Sequence, residues 1–132
     1  MTIINSTIEI NSGVEKVYSF LSDLNNHQQL MPENIYNWSS TTDEASFTIQ
    51  NMAKLAIKIS TRIENQEIVA IPTDKPPFDV ELKWSVSPSE NGKTLATHTI
   101  SADLNMMMKM LAAGPLQKLV DYQTQKLKEI LG

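Results

Sequence analysis

Over most of the chain, apolar residues recur at every second position. Over the last stretch they recur at every third or fourth. The first pattern is that of strands with one buried face, the second that of an amphipathic helix. Ile4, Ser6, Ile8 and Ile10 share one face of an expected first strand, with Asn5, Thr7 and Glu9 on the other. Ser12-Gly13-Val14-Glu15 has the spacing of a capping box, in which the Ser12 hydroxyl accepts from the Glu15 N–H. The helix it opens carries Val14, Val17, Tyr18 and Leu21 on one stripe. Asp23-Leu24-Asn25-Asn26 ends that helix and caps a second, short one through Leu30, which Pro32 terminates.

Period two then takes over. Asn34 to Ser40 reads as a strand, Ser40 to Asp43 as a turn, and Ala45, Phe47 and Ile49 as the return. Asn51-Met52 closes the next hairpin. Leu55, Ile57, Ile59, Thr61 and Ile63 alternate with polar neighbours over a long, half-buried antiparallel strand. Asn65 suits a turn because it tolerates positive φ. Glu67 to Ile71 returns, and Pro72 to Pro77 is a loop because its prolines remove ladder donors. Phe78, Val80, Leu82, Trp84 and Val86 share a face, Asn91-Gly92 marks a hairpin, and Ala96, His98, Ile100, Ala102 and Leu104 share the next. From Asn105 to Leu131 the spacing of Leu116, Leu119, Val120, Leu127, Ile130 and Leu131 predicts one long helix, broken or bent at Gly114-Pro115. Its start is a soft apolar patch of Met106, Met107, Met108, Met110 and Leu111.

Such a helix needs a sheet to bury its stripe. The order strand, two helices, six strands, long helix favours an α+β fold with the helices on one face of an antiparallel sheet. A sheet of that size curls, and the space it leaves against the helix is where a ligand would sit. The chain of 132 residues is expected to form a single domain, 1–132.

Composition narrows the function by exclusion. Net charge is −4 and Arg62 is the one arginine, which argues against nucleic acid or an anionic membrane as partner. There is no cysteine, no zinc-type histidine spacing, no phosphate loop and no nucleophile elbow, so neither a metal nor a cofactor is expected. No apolar run reaches spanning length, and the N-terminus lacks a secretory pattern; a cytoplasmic location fits.

His98 is the side chain with the most chemistry. By parity it points at the helix, either as a polar anchor or acid–base group in an apolar cavity or as a self-satisfied core histidine. Phe78 and Trp84 are aromatic wall or plain core. Lys54, Lys58, Arg62 and Lys83 fall on the convex face by parity, where Glu67, Asp79 and Glu81 would pair with them. Asp23 with His27 reads as a helix-boundary Asp beside a surface His rather than a dyad. Trp38 is expected to lie away from the cavity.

Two segments carry a family resemblance. "IEINSGVEKVYSFLSDLNNHQQLMPENIYNW" and "SADLNMMMKMLAAGPLQKLVDYQTQKL" resemble the opening and end of the small bacterial polyketide cyclase-like branch of the START-like, helix-grip (SRPBCC) superfamily. Met106 departs from the pattern, since related chains often carry a Pro there. The resemblance implies a seven-stranded curved antiparallel sheet around the long C-terminal helix, two short helices between strands 1 and 2, and a cavity for a hydrophobic ligand. Parity and the resemblance together predict a cavity lined by Phe47, Leu82, Trp84, His98, Ile100, Met107, Met110 and Leu111. Three readings follow: non-catalytic binding of an apolar or lipid-like small molecule, which we take first; a polyketide cyclase-like enzyme using His98; and an interaction module that forms homodimers or holds a protein partner through its sheet edge or long helix.

Overall fold

The computed structural model describes residues 1–51, 53–73 and 78–132. Met52 of the expected Asn51-Met52 turn and residues 74–77 of the expected proline loop lie outside them. Seven strands follow the expected order: β1 (Thr2–Ile10), β2 (Ile35–Ser40), β3 (Glu44–Ile49), β4 (Ala53–Ile63), β5 (Glu67–Pro72), β6 (Val80–Pro88) and β7 (Thr94–Ala102). Helix α1 (Val14–Leu21) and a 3-10 helix (Leu24–Leu30) lie between β1 and β2, and α2 (Met106–Leu131) ends the chain. The strands form one antiparallel sheet in the order β1-β7-β6-β5-β4-β3-β2. It is a six-strand meander with β1 added beside β7, so the two short helices carry the chain from one sheet edge to the other. The curled sheet grips α2, giving the expected α+β, helix-grip architecture.

Local chemistry sets the boundaries. Asn91 and Gly92 both take positive φ (57° and 75°), which a tight β6–β7 hairpin requires. The Asp23 carboxylate accepts from the Asn25 N–H at 2.9 Å and starts the 3-10 helix. Asn105 caps α2, its side-chain oxygen accepting from the Met108 N–H at 2.8 Å. The capping box at Ser12 does not form: Gly13 is the N-cap of α1 and makes no side-chain bond. The Ser12 hydroxyl donates instead to the Leu131 carbonyl, tying the end of α2 to the corner after β1. That carbonyl is one of the four a helix end leaves unpaired, so the hydroxyl has a competing partner.

Helix α2 runs unbroken through Gly114-Pro115. Gly114 lacks the Cβ that would crowd the proline ring, which lets the helical turn persist despite the lost hydrogen bond. Its buried stripe is Ala112, Leu116, Val120, Gln123, Thr124 and Leu127. The half-buried Ser6 on β1 and the buried Thr124 on α2 satisfy each other through hydroxyls 2.8 Å apart.

The long strand β4 departs from strict alternation. Its register against β5 shifts between Ile59 and Thr61, a bulge that places Arg62 opposite the buried Ile68 and leaves Ile63 exposed. Arg62 therefore does not lie on the convex face as parity implied. Its guanidinium donates to the Ser22 carbonyl (2.8 Å), the Ser22 hydroxyl (2.9 Å) and the Thr42 carbonyl (3.2 Å), and pairs with Asp43 at 2.8 Å. It fastens the α1 corner to the β2–β3 turn. Among the described residues the ion pairs are Arg62–Asp43 and Lys93–Glu9, so the expected convex-face pairing of Lys54, Lys58 and Lys83 with Glu67, Asp79 and Glu81 is not seen. The register sets Lys83 opposite Val69 and Thr99 instead.

Candidate functional site

The inward faces of β2 to β7, the 3-10 helix and the middle of α2 line a partly open cavity of about 60 Å³, counted as the space open to the centre of a water molecule. At about 10–15 Å³ per water on that measure, it holds a few waters or a small molecule. Phe47, Leu82, Trp84, His98 and Ile100 line it. Alternation aims them there: Leu82 pairs with Ile100 and Trp84 with His98 across the β6–β7 ladder, each pair on the core side. The rings of Trp84 and His98 stack at 4.4 Å, 2° from parallel.

Met107, Met110 and Leu111 do not line the cavity. They are 72%, 81% and 73% exposed. At 3.6 residues per turn, Met107 and Leu111 fall roughly opposite the buried Ala112–Leu116–Val120 stripe, so α2 turns them to solvent. Leu116, Leu119 and Gln123 take their place in the wall. Trp38 also lines the cavity, stacked on Phe47 at 5.3 Å, and so lies in the wall it was expected to avoid.

Three polar side chains interrupt the apolar wall. His98, 4% exposed, has its pKa pushed down to about 3, chiefly by burial and then by nearby His27, with Gln123 opposing. Its ring is neutral near pH 7. Its Nδ1 has no hydrogen-bond partner among the described residues, and neither has Oε1 of Gln123, itself 3% exposed. The Gln123 amide nitrogen donates to the Met31 sulfur at 3.4 Å. His27 is not the surface histidine expected from the sequence: it is buried, lines the cavity, and has Nε2 2.7 Å from the Leu21 carbonyl. Burial holds its pKa below the usual value, against the Leu21 carbonyl and the Asp23 charge.

Periodicity could have found Gln123, which sits four residues after Leu119 and four before Leu127. His27 had a weaker signal of the same kind: it sits midway between Leu24 and Leu30, and at three residues per turn all three share the buried face of the 3-10 helix. Among the described residues the cavity wall contains no Asp, Glu, Lys, Arg, Ser, Thr or Cys. Likewise, no described group of three His, Cys, Asp or Glu could hold a metal ion. The site thus offers contact area and a few neutral hydrogen-bonding groups.

No protein-family model and no curated protein sequence matches the chain. Solved structures match it over nearly its whole length. The protein XoxI from Bacillus cereus superposes with a TM-score of 0.80 at 11% identity, over 99% of this chain and 96% of that one. The Aha1 dimer from Colwellia psychrerythraea gives 0.73 at 19% identity, over 99% and 96%. A START superfamily protein from Mycobacterium smegmatis gives 0.68 at 19% identity, over 97% and 98%. Full-length superposition on these structures, together with the curled seven-stranded antiparallel sheet around the long C-terminal helix, establishes that this chain has the START-like, helix-grip fold.

Proposed function

We propose that the protein binds a small, predominantly apolar molecule between the curled sheet and α2, and that it does so without catalysis. The observation that carries this reading is the apolar cavity with the stacked Trp84–His98 pair in its wall. An apolar ligand gains from leaving water, at roughly 25 cal/mol per Å² buried, and the aromatic faces give it flat contact area. Met31 is the flexible part of the wall and would let a longer ligand enter by changing rotamer.

The cyclase-like alternative asks His98 to move protons. A group with a pKa of about 3 is a weak base at neutral pH, and no described carboxylate or hydroxyl lines the cavity to share the work. The geometry favours an anchor over an acid–base catalyst.

Ala70 tests the reading. It is buried on β5 and lines the cavity, so Ala70→Leu adds three carbons to the space a ligand would fill. Toluene should quench or shift the tryptophan fluorescence of the wild type, and Ala70→Leu should lose that response while still unfolding cooperatively. Trp38 and Trp84 both lie in the wall, so both should report. Undiminished toluene binding by a folded Ala70→Leu would place the ligand elsewhere.

A further inference from the structure

We infer that the cavity receives a hydrogen-bond donor, a hydroxyl or N–H on a neutral, otherwise apolar ligand, and that His27, His98 and Gln123 form the receiving site. This deepens the binding reading above and rests on it.

The argument is a count of donors and acceptors. His27 places Nε2 2.7 Å from the Leu21 carbonyl. A carbonyl only accepts, so Nε2 carries the proton. In a neutral imidazole that leaves Nδ1 a bare acceptor, on a ring that forms part of the cavity wall. Gln123 has one amide hydrogen on the Met31 sulfur, a second amide hydrogen without a partner among the described residues, and no partner for Oε1. His98, also neutral, has one N–H and one lone pair. The Gln123 amide lies near enough to act on the His98 ring, and His98 Nδ1 and Gln123 Oε1 are both without partners. If they satisfy each other by a small rotation, Nδ1 donates and Nε2 becomes the bare nitrogen. If they do not, Gln123 Oε1 stays bare instead. Either way the cluster keeps at least two acceptors, one of them on His27.

Charge excludes the other ligand classes. Among the described residues no cation lines the cavity, and both imidazoles are held neutral by burial. A carboxylate would enter an apolar space without a counter-charge, and an ammonium would do the same. A ketone or ether could use only the second Gln123 amide hydrogen and would leave at least two acceptors bare. A hydroxyl or N–H on a ring or short chain supplies what is missing, and Trp84, Phe47 and Leu82 take up the apolar body.

Phenol, toluene and benzoate separate these outcomes, being close in shape and different in polarity. Calorimetry gives the affinities, and long-range ¹H–¹⁵N spectra of the imidazoles show which ring nitrogens are bare. We expect phenol to bind the wild type at least as tightly as toluene, despite its better hydration, and to move a bare nitrogen of His27 or His98. Benzoate should bind far more weakly. In Gln123→Met and His98→Phe the preference for phenol over toluene should fall by about tenfold or more, the worth of one buried hydrogen bond and its orphaned partner. Toluene binding about tenfold tighter than phenol to the wild type, with no nitrogen shift, would overturn the donor inference and leave apolar binding standing. So would benzoate binding as well as phenol. Failure of all three to bind would overturn the ligand-binding reading as well. The nitrogen spectra of the wild type decide the matter even if a variant does not fold.

Discussion

Replacing His98 with Phe should make the fold more resistant to mild acid. The folded pKa of His98 lies near 3, against 6.5 for a free histidine, because burial disfavours the charged ring. A depressed histidine contributes stability that is present above 6.5 and lost as pH falls from there towards 3, since the unfolded chain takes up a proton that the folded one refuses. The loss is about 1.4 kcal/mol per pH unit, so about 2 kcal/mol has gone by about pH 5. Against a total of about 5–15 kcal/mol that is a large share. His27 acts in the same direction. Glu9 does not intrude, because the Ser89 hydroxyl holds its pKa below 4.5 and its contribution is lost only at lower pH. Phe keeps the stack on Trp84 and cannot titrate. Urea unfolding of wild type and His98→Phe at about pH 7.5 and about pH 5 should show the variant losing about 2 kcal/mol less between the two conditions. Equal losses would refute the placement of a neutral His98 in the core.

Other substitutions probe the frame around the cavity. Leu127 is fully buried where α2 meets α1 and the sheet, so Leu127→Ala should cost about 2–5 kcal/mol in urea unfolding. Met107→Ser, on the solvent side of the same helix, should change stability by less than about 0.5 kcal/mol; a large loss would mean its face is covered. Arg62→Lys should cost about 1–2 kcal/mol, since an ammonium cannot reproduce the fork on the Ser22 and Thr42 carbonyls. Asp43→Asn should cost under about 1 kcal/mol, because that carboxylate is 66% exposed; the reverse ranking would make the ion pair the chief contribution.

The strands were legible because each has one face in the core, and a period of two survives where the ladder is regular. Parity alone put Leu82 and Trp84 on the same face as His98 and Ile100; the register then sets Trp84 opposite His98 and Leu82 opposite Ile100. It failed at Arg62 because the bulge after Ile59 carries no glycine or proline to mark it, and one extra residue exchanges the faces of all that follow. Helix α2 was legible as a helix, but an apolar residue does not declare which side it faces. Leu116, Val120 and Leu127 fix the buried stripe, and Met107 and Leu111 fall out of phase with it. Ser12 had the right spacing for a cap, yet the Leu131 carbonyl, distant in sequence, was the better partner. The polar part of the site was the least legible. Gln123 follows the period of Leu119 and Leu127, and His27 that of Leu24 and Leu30, but a polar residue on an apolar stripe does not show from sequence whether it is buried or marks the stripe's edge.

The central claim is that a small apolar molecule enters the space between the sheet and α2. A methyl-labelled NMR titration with toluene tests it most directly. The account predicts saturable shifts at Ile57, Ile68, Leu82, Ile100, Leu116 and Leu119, all in the cavity wall. The exposed Met107, Met110 and Leu111 should stay unmoved. Shifts confined to that exposed patch, or none at any toluene concentration, would contradict it.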